Sequence, residues 1–471
     1  MKHVLMIAYL FPPAGGIGSA GAQRVLKFVK YLPSFHWHPI VLTIKEKSYE
    51  SYFTTDPTLM EKVPPGLPIV RTSVVRWLTR LLELRQTMLR GWRGKAQPQQ
   101  VGTTGLPSSS EQSIPKGWYH RLKDTITDMF EIPDEAVGWF VPAVVGGWRA
   151  IRRDRIDVIF STGRPWTAHL IGTALKIFTH KPLVVDFRDP WMTNPFRLDY
   201  SPVRNRLEAF CERKVIEYAD VVIANTDELR GEFIRRFPCQ PKEKFMTLLN
   251  GFDPEDYAVH EHVQDRPRQC FTIAHTGFLY GKRDPKPFFE ALEMVMACPD
   301  VDRSKLRVVF VGSIQLSYDL PAYLAAHNLQ DLVILHGQVT YKQSLQYMKE
   351  GDLLLLLQPG TSTQVPSKLF EYIAFRKPIL AITPVEGATG RLVTNDCSGF
   401  VCAPEQVSDI ANAIEVAYRQ WKRGGVEEGY GRRAYDTYNV KNMTAVLASA
   451  FSEVSSDEYA REEGEPARSA R

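Results

Sequence analysis

The fold is decided by one stretch of the sequence, Val365-Pro366-Ser367-Lys368-Leu369-Phe370-Glu371-Tyr372-Ile373-Ala374-Phe375-Arg376-Lys377-Pro378-Ile379-Leu380. An apolar run from Leu353 to Leu357 and a polar loop precede it, and a second apolar run, Pro378 to Ile382, ends it. This order predicts a buried strand, a loop, a helix and another buried strand. Lys368 and Glu371 are three residues apart, so they project from one face near the start of the helix.

The start of this predicted helix is suited to a nucleotide. The first backbone N–H groups of a helix have no partner within the helix, and the helix dipole makes that end positive, so it attracts a phosphate. The carboxylate of Glu371, one turn further along, is placed to accept hydrogen bonds from sugar hydroxyls. The ligand that combines both features is a nucleoside diphosphate with its ribose.

The same loop and helix resemble the donor-binding segment of the retaining glycosyltransferases of the GT-B fold, family 4, of the bacterial polysaccharide-biosynthesis type. In that family the Glu that matches Glu371 holds the ribose of a nucleotide-sugar, and the resemblance implies that Lys368 and Leu369 also bind the donor. The family often has a second Glu eight residues earlier, where this chain has Thr363. The resemblance therefore implies the ribose contact, but position 363 offers no carboxylate to the sugar.

Apolar runs alternate with helical patterns along the chain, which predicts an α/β protein with two doubly wound sheets. The first series of predicted strands runs from Val4 to Ala224, and the second from Phe271 to Ile382. Together with the resemblance, this predicts the GT-B arrangement, in which two Rossmann-like domains face a cleft. The expected parts are an N-terminal acceptor-side domain at 1–237, a nucleotide-sugar-binding domain at 238–430, a helix at 431–454 that packs back toward the first domain, and a disordered tail at 455–471.

A predicted insertion, about 71–118, interrupts the first domain. Its first part, Arg71 to Lys95, holds seven basic residues and one acid, and a helical wheel gathers its apolar side chains, including Trp92, on one side. Such a helix fits a membrane surface, and it also fits a helix packed on its own domain with the basic face in water. Both interpretations stay open here. The part from Gln97 to Lys116 is rich in Gln, Gly, Ser, Thr and Pro, which is typical of a mobile loop.

Length, charge and cysteine content exclude several classes of protein. The chain has 471 residues, of which 44% are hydrophobic, and a net charge of +5, so it has material for two or three domains and lacks the charge of a nucleic-acid-binding protein. The six cysteines show no C-x-x-C pair and no zinc spacing. The apolar run from Val4 to Phe11 is short for a signal peptide, and no run is long enough to span a bilayer. We therefore expect a cytoplasmic protein, and we further expect that it is located at the inner face of the plasma membrane.

The glycine loop near the N-terminus fits two classes of protein. Gly16-Ile17-Gly18-Ser19-Ala20-Gly21 matches the G-x-G-x-x-G pattern of dinucleotide-binding oxidoreductases. That pattern needs its first Gly in the turn that leaves the strand, whereas Leu10 to Gly15 intervene here. The resembled family instead follows its first strand with Phe-Pro-Pro, a Gly pair and a downstream Arg, which are Phe11-Pro12-Pro13, Gly15-Gly16 and Arg24 in this chain. We favour this alternative and expect Gly15 and Gly16 to let backbone N–H groups approach the donor diphosphate.

Two segments of the first domain resemble the family on the acceptor side of the cleft. Asp186 to Trp191 follows a predicted strand and is similar to the family's Asp-x-Arg-Asp-x-Trp, so we expect Arg188 and Asp189 to line the acceptor side. A structural Arg–Asp pair is the alternative. The segment that ends at His169 resembles the family's segment near the acceptor, although a single His is more often structural.

In the second domain, the loop from Thr276 to Pro285 leaves the first strand of the series. The family places basic residues of this loop on the donor diphosphate, and Arg283 is the first choice here, followed by Lys282. Many family members have an Arg directly after the Gly, where this chain has Phe278.

Metal signals are weak. Asp300-Val301-Asp302 is a D-x-D pattern, but it lies in a predicted turn beside Pro299, and a solvated turn explains it better. The pairs His36/His38 and His260/His262 have the spacing of ligands without an evident third ligand. We therefore expect neither a metal nor another cofactor.

The sequence as a whole predicts a glycosyltransferase that moves a sugar from a nucleoside-diphosphate sugar to a hydroxyl of a glycan or lipid-linked glycan. By resemblance the anomeric configuration is retained, and the expected catalytic residues are Arg283, Lys368 and Asp189. Two alternatives stay open. One is a nucleotide-sugar epimerase on the same fold, and the other is a non-catalytic GT-B subunit of a glycan assembly complex, which Thr363 favours. No nucleic-acid partner is expected.

Overall fold

The structure of the chain is a computed structural model. It describes residues 1–15, 19–49, 54–75, 131–198, 200–258, 269–396, 398–424, 430 and 432–462. Several predicted features lie outside the described residues: Gly16, the insertion from residue 76 to its end, and residues 463–471 of the predicted tail.

The first domain is built on a sheet of seven parallel strands. Their bounds are Lys2–Ile7 (β1), Trp37–Ile44 (β3), Ile69–Thr72 (β5), Val158–Gly163 (β6), Leu183–Phe187 (β7), Val221–Ala224 (β8) and Phe245–Thr247 (β9). Ala14–Gly15 (β2) and Thr54–Thr55 (β4) form a separate antiparallel pair. The helices are Ser19–Tyr31 (α1), Phe140–Asp154 (α2), Thr167–Thr179 (α3), Pro202–Tyr218 (α4) and Asp227–Arg236 (α5).

The second domain is built on six parallel strands. They are Phe271–Thr276 (β10), Leu306–Val311 (β12), Val333–His336 (β14), Leu353–Leu357 (β15), Ile379–Ile382 (β16) and Gly399–Cys402 (β17), and a short pair joins Leu279–Tyr280 (β11) to Ile314–Gln315 (β13). The helices are Glu255–Ala258 (α6), Lys286–Met296 (α7), Leu320–Ala326 (α8), Tyr341–Glu350 (α9), Ser367–Ala374 (α10), Ala388–Asn395 (α11), Val407–Lys422 (α12), Arg432–Thr437 (α13) and Val440–Glu462 (α14).

Both sheets carry helices on their two faces, which explains the nearly continuous apolar runs of the strands. In the first domain, α2 to α5 cover one face, and α1 and α14 cover the other. In the second, α7, α8 and α12 cover one face, and α9 to α11 cover the other. Strand β15 is five leucines, all buried, because it lies in the middle of the second sheet.

The two sheets have the same topology, except that the first sheet has one more strand, β9, at its edge. The strand order is β5-β3-β1-β6-β7-β8-β9 in the first sheet and β14-β12-β10-β15-β16-β17 in the second. Each order reverses direction once, between β1 and β6 and between β10 and β15, and ligands of doubly wound proteins bind outside the carboxyl ends of the strands at such a reversal. The predicted α/β fold with two doubly wound, Rossmann-like domains is confirmed.

Three predicted boundaries differ from the structure. Arg71 and Thr72, predicted to begin the basic insertion, belong to strand β5, which pairs with β3. Strand β9, Phe245–Thr247, pairs with β8, so the first sheet extends beyond residue 237, where the sequence placed the end of the first domain. Helix α14 continues to Glu462, so residues 455–462 are helical and the disordered tail predicted from residue 455 is corrected there. Val440, Leu447 and other apolar residues of α14 join the core of the first domain, which ties the end of the chain to its beginning.

Among the described residues, no helix is both long and apolar enough to cross a bilayer.

Candidate active site

The candidate active site begins at the carboxyl ends of β10 and β15. Arg283, in the loop after β10, donates a hydrogen bond from Nη2 to Oε1 of Gln358, the residue that follows β15 (2.8 Å). The Nε atom of Arg283 is buried and has no hydrogen-bond partner within the described part of the chain. The guanidinium lies 5.2 Å from the ring centre of Tyr280. The side chain therefore holds a fixed charge at the strand ends and keeps donors free for a ligand.

Helix α10 brings Lys368 and Glu371 together, as the spacing predicts. Nζ of Lys368 lies 2.8 Å from Oε2 of Glu371, whose side chain is only 6% exposed. The N-cap residue of this helix is Pro366, which has no side chain that could cap the first N–H groups. The helix start thus presents unpaired backbone donors next to a cation.

Leu369 does not behave as a donor-binding residue. Its side chain is fully buried in the core of the second domain, and its backbone N–H donates to the carbonyl of Pro366 (3.0 Å). The structure therefore corrects the prediction that Leu369 binds the donor, because its side chain is in the core and its N–H is already hydrogen-bonded.

Glu371 faces the first domain across a narrow gap. The cavity beside it has a volume of about 20 Å³ and is lined on the other side by Arg24 and Lys27 of α1. Burial lowers the pKa of Lys27, and the charge of Glu371 opposes that shift. A cavity of this size holds about one water molecule, so a ribose that contacts Glu371 must enter from another side or after the domains separate.

His275, at the end of β10, was not singled out by the sequence. Its Nδ1 lies 2.9 Å from the carbonyl oxygen of Leu355, so Nδ1 carries the proton and Nε2 is an acceptor. Nε2 is buried without a hydrogen-bond partner in the described residues. Burial lowers the pKa of His275 to about 4, with smaller effects from the charges of Arg283 and Lys368. A neutral imidazole beside two cations is thus part of the site.

Lys282 is exposed and lies over the loop that follows β15. A Cβ atom at Gly360 would come within 2.9 Å of Cδ of Lys282, and Gly360 has a φ of +73°. Glycine therefore lets this lysine approach the loop. Lys282 lies at the rim of the site, whereas Arg283 is half-buried within it.

The first domain contributes Asp189 to the cleft. Its Oδ1 accepts a hydrogen bond from Nε2 of Gln364 in the second domain (2.8 Å). Burial raises the pKa of Asp189, and the charges of Arg188, Arg164 and Arg283 oppose that rise. The structure therefore brings Asp189 and Arg283, predicted from separate domains, into one electrostatic environment.

Arg188 is held within the first domain next to Asp189. Its guanidinium donates to the carbonyl oxygens of Gly163 and Arg164, and it covers Gly21, where a Cβ atom would collide with it. Burial lowers the pKa of Arg188. This arginine shapes the wall of the cleft around Asp189.

His169 lies in the core of the first domain. It has no exposed surface, and its Nδ1 lies 2.9 Å from Oγ of Ser161. Burial lowers its pKa to about 3, and its ring lies 4.6 Å from that of Phe187. Helix α3 turns this side chain inward, and its Nε2 is buried without a hydrogen-bond partner among the described residues, so the acceptor-side role stays a prediction.

The glycine pair predicted to bind the diphosphate is only partly described. Gly15 pairs with Thr54 in the small antiparallel sheet, and Gly16 lies outside the described residues. Arg24 matches the Arg that follows this glycine pair in the resembled family, but in the structure its side chain is bound within the protein. Its five N–H groups make five hydrogen bonds, to both oxygens of Asp186, to the carbonyls of Leu248 and Leu249, and to Oδ1 of Asn250.

Two further contacts join the domains. Oγ1 of Thr226 donates to the carbonyl of Thr363 (2.6 Å), and Arg391 forms an ion pair with Glu228 (2.5 Å). Thr363, the position where the family often has its first Glu, is therefore held at the interface by its backbone. The sequence missed Gln358 and Gln364, although each is a polar residue in the loop after a buried strand, where ligands of doubly wound sheets bind.

The described residues contain no group of three or more His, Cys, Asp or Glu side chains that is arranged to hold a metal ion.

Two protein-family models match the chain. The model for glycosyltransferase family 4 matches residues 111–256, and the model for the glycosyl transferases group 1 matches residues 271–430. The second match contains Arg283, Lys368 and Glu371. No match was found among the curated proteins.

Several solved structures share the fold. HepE from Anabaena in complex with UDP has 15% sequence identity and a TM-score of 0.60, with 96% of this chain and 100% of that chain covered. Sucrose-phosphate synthase from Thermosynechococcus elongatus has 13% identity and a TM-score of 0.61, with 97% of this chain and 100% of that chain covered. A glycosyltransferase from Rickettsia africae has 11% identity and a TM-score of 0.58, with 96% and 98% covered. At these identities the likeness shows the fold.

The two doubly wound domains and the cleft between them define the GT-B class of fold. The two family models then identify the chain as a glycosyltransferase of the GT-B type, with a family 4 region before a group 1 region.

Proposed function

We propose that the protein transfers a sugar from a nucleoside-diphosphate sugar, with UDP as the first choice, to a hydroxyl acceptor. The observation that carries this proposal is Arg283, which lies where the strand order reverses and keeps a buried Nε–H without a partner in the described chain. The start of α10, with Lys368, adds a second positive element. HepE, which shares the fold, forms complexes with UDP and with UDP-glucose, which supports the choice of base.

The chemistry of the site is charge stabilisation. When the sugar–phosphate bond breaks, negative charge concentrates on the departing diphosphate, and Arg283, Lys368 and the N–H groups of α10 would stabilise it. Lys282 adds an exposed cation at the rim. Glu371 would accept hydrogen bonds from the ribose. Lys368 already donates a hydrogen bond to one of its carboxylate oxygens, which holds the carboxylate in position.

We further propose that the anomeric configuration is retained and that Asp189 supplies the carboxylate that position 363 lacks. Asp189 is hydrogen-bonded to Gln364, the residue next to Thr363, so it reaches the same loop from the opposite domain. There it would stabilise the positive charge that develops on the sugar. The acceptor hydroxyl would attack from the leaving-group face, with a diphosphate oxygen as the proton acceptor, so that no protein nucleophile is required.

The proposed acceptor is a glycan or a lipid-linked glycan at the cytoplasmic side of a membrane. The basic, Trp-bearing segment from Arg76 to Lys95 supports this choice, because cations beside apolar side chains suit an anionic membrane surface. Arg188, which borders Asp189, would lie on the acceptor side of the reacting sugar.

Product analysis with a labelled nucleotide-sugar tests the proposal. Transfer to an acceptor, or slow hydrolysis of the donor to the free nucleoside diphosphate, supports a transferase. Formation of an epimer without an acceptor would identify an epimerase, and binding without any conversion would identify a non-catalytic subunit. Activity should persist in EDTA because the proposal assigns charge stabilisation to cations of the protein.

A further inference from the structure

The first domain has an outer surface with exposed apolar side chains in regular rows. Helix α2 exposes Val141, Val145 and Trp148, and α4 exposes Val203, Leu207 and Phe210. Both sets have the spacing of one helix face. Helix α3 adds Ile177 and Phe178 at its end, the latter 66% exposed.

These side chains lie on the outer sides of three neighbouring helices, and we call this surface the α2–α4 face. Helices α2, α3 and α4 cover the same face of the first sheet, α2 packs against α3, and α3 packs against α4. Their apolar inner sides fill the core, so the exposed rows point away from the sheet. A group of large apolar side chains on an outer surface indicates an interaction site.

Basic residues accompany the apolar rows. The exposed cations of these helices and of the turn after α2 are Arg149, Arg152, Arg153, Arg155, Arg206 and Arg213. Of the acids on α4, Glu208 and Glu212 are buried in ion pairs with Arg204 and Arg236. The acids that remain nearer the surface are Asp154 and Glu217, each paired with a cation of its own helix. The α2–α4 face is therefore both apolar and positively charged.

The aromatic residues of the two rows have cations beside them. The guanidinium of Arg152 lies 4.0 Å from the ring centre of Trp148. On α4, Arg213 and Lys214 lie 5.5 and 5.7 Å from the ring centre of Phe210. Long basic side chains that run along an aromatic ring keep their charged ends at the water side of an apolar surface. This is the arrangement that suits the boundary between acyl chains and lipid headgroups.

The basic segment predicted from the sequence leaves the described chain beside this face. The N–H of Val75, the last described residue before the insertion, donates to the carbonyl of Gly138 (2.9 Å), just before α2 begins. Residues 76–95 contain six basic residues and one acid. Because residues 76–95 and the α2–α4 face are both positively charged, electrostatic repulsion disfavours contact between them. The same repulsion disfavours contact between the α2–α4 faces of two copies of the chain. An anionic partner complements both.

We propose that the α2–α4 face docks on anionic phospholipid membranes, with Trp148 and Phe210 in the headgroup–acyl boundary and the flanking cations on the headgroups. This docking deepens the proposed function, because it would place the first domain against a lipid-linked acceptor. It uses side chains that take no part in the candidate active site, so the two proposals fail separately.

Vesicle flotation of the full chain tests the docking. The protein should float with phosphatidylglycerol–phosphatidylcholine vesicles at low salt, less as salt rises, and little with phosphatidylcholine alone. Trp148→Ser with Phe210→Ser should weaken binding roughly tenfold or more, because two aromatic side chains leave the membrane boundary. Met294→Ser on α7, a residue that is 49% exposed in the second domain, is the matched control and should change nothing.

A second pair of variants tests the charges. Arg149→Glu with Arg152→Glu should weaken binding at least tenfold, since each basic residue at an anionic surface contributes about a fivefold effect. Lys422→Glu with Arg423→Glu, exposed cations of the second domain, is the matched control. Stabilisation by UDP should be equal in all four variants, which separates docking from donor binding.

Three outcomes would overturn the docking. The first is that the wild-type protein does not bind anionic vesicles. The second is that charge reversal at Arg76, Arg80 and Arg90 abolishes binding while the variants of the α2–α4 face bind normally. The third is that the variants of the α2–α4 face convert a dimer into a monomer, which would assign the face to a second copy.

Discussion

Two arginines at the cleft, one from each domain, show how differently the two sides of this protein use the same side chain. Arg24 of the first domain uses all five of its N–H groups within the chain. Arg283 of the second domain is hydrogen-bonded to Gln358, and its Nε, although buried, has no partner among the described residues. An arginine whose donors are all satisfied is a structural element, whereas a half-buried arginine with a free donor is prepared for an anion.

The contrast has a structural cause. Arg24 joins Asp186, at the end of β7, to residues 248–250, where the chain leaves the first sheet for the second domain. It therefore fixes the start of the connection between the domains. Arg283 lies in a loop after β10 that has no such connection to hold, so its charge is available to a ligand.

The largest expected effect is on stability, from Arg24→Met. This change leaves the fully buried carboxylate of Asp186 without its cation, which should lower the free energy of unfolding by about 3–5 kcal/mol. Chemical denaturation measures it. Arg24→Met combined with Asp186→Asn should cost less than Arg24→Met alone, because the uncompensated charge is gone. A loss below about 1 kcal/mol for Arg24→Met would show that the five bonds do not fix the connection.

The next effect is on turnover, from Arg283→Ala. Loss of a donor aimed at the developing charge typically costs about 10²–10³-fold in kcat, and the same direction is expected for Lys368→Ala. Binding of the nucleoside monophosphate should change much less, because the β-phosphate is absent. Lys282→Ala, at the exposed rim, is the control and should have a smaller effect. Equal losses in turnover and in monophosphate binding would count against the proposed role.

The two buried histidines, one in each domain, predict how stability depends on pH. Burial holds the pKa of His169 at about 3 and that of His275 at about 4, below the ordinary 6.5. As the pH falls from about 6.5 toward 4, the unfolded chain binds protons that the folded chain does not, so the free energy of unfolding falls. For His275 alone the full effect is on the order of 3 kcal/mol.

His275→Gln isolates this contribution. The variant should lose less stability than the wild-type protein between pH 6.5 and 4, because glutamine does not titrate. The difference between the two proteins is the quantity to measure, since burial raises the pKa of Asp134 to about 6 and this shift acts with the opposite sign. Parallel stability curves for the two proteins would show that His275 is not held neutral.

The smallest of these effects is on donor affinity, from Glu371→Ala. Loss of the hydrogen bonds to the ribose should cost roughly 1.5–3 kcal/mol, on the order of 10–150-fold in affinity. Isothermal titration with UDP measures it. Glu371→Gln keeps the size of the side chain and should lose less. Unchanged affinity in a folded Glu371→Ala variant would mean that the carboxylate serves only Lys368 and the gap to α1.

The sequence predicted the fold well because the information is periodic and local. The apolar runs from Val4, Leu183, Val221, Val333, Leu353 and Ile379 all became parallel strands, and the alternation with helices sufficed to infer two doubly wound sheets. The short strands β5, β9 and β17 were missed, because an edge strand of three or four residues has too little apolar pattern. The helical residues 455–462 were missed because this part of the sequence is charged and lacks an apolar period.

The candidate site was predicted less evenly. Lys368 and Glu371 are brought together because their spacing alone fixes a shared helix face. Whether a polar residue is satisfied depends on contacts between distant parts of the chain. For this reason Arg24 was grouped with the donor-binding loop, His169 with the acceptor side, and His275 was not considered. The hydrogen bond from Gln364 to Asp189 joins residues 175 positions apart, and no local pattern predicts it.

The most direct test of the central claim is thermal stability in the presence of nucleotide-sugars. The wild-type protein and Arg283→Ala with Lys368→Ala should each be heated with UDP-, GDP-, ADP- and CMP-sugars. We predict that the UDP-sugar stabilises the wild-type protein by about 2.7 kcal/mol at a hundredfold excess over Kd. The double variant should lose most of this stabilisation, when each protein is compared with itself in the absence of ligand. Equal stabilisation of both proteins, or no stabilisation by any nucleoside-diphosphate sugar, would contradict it.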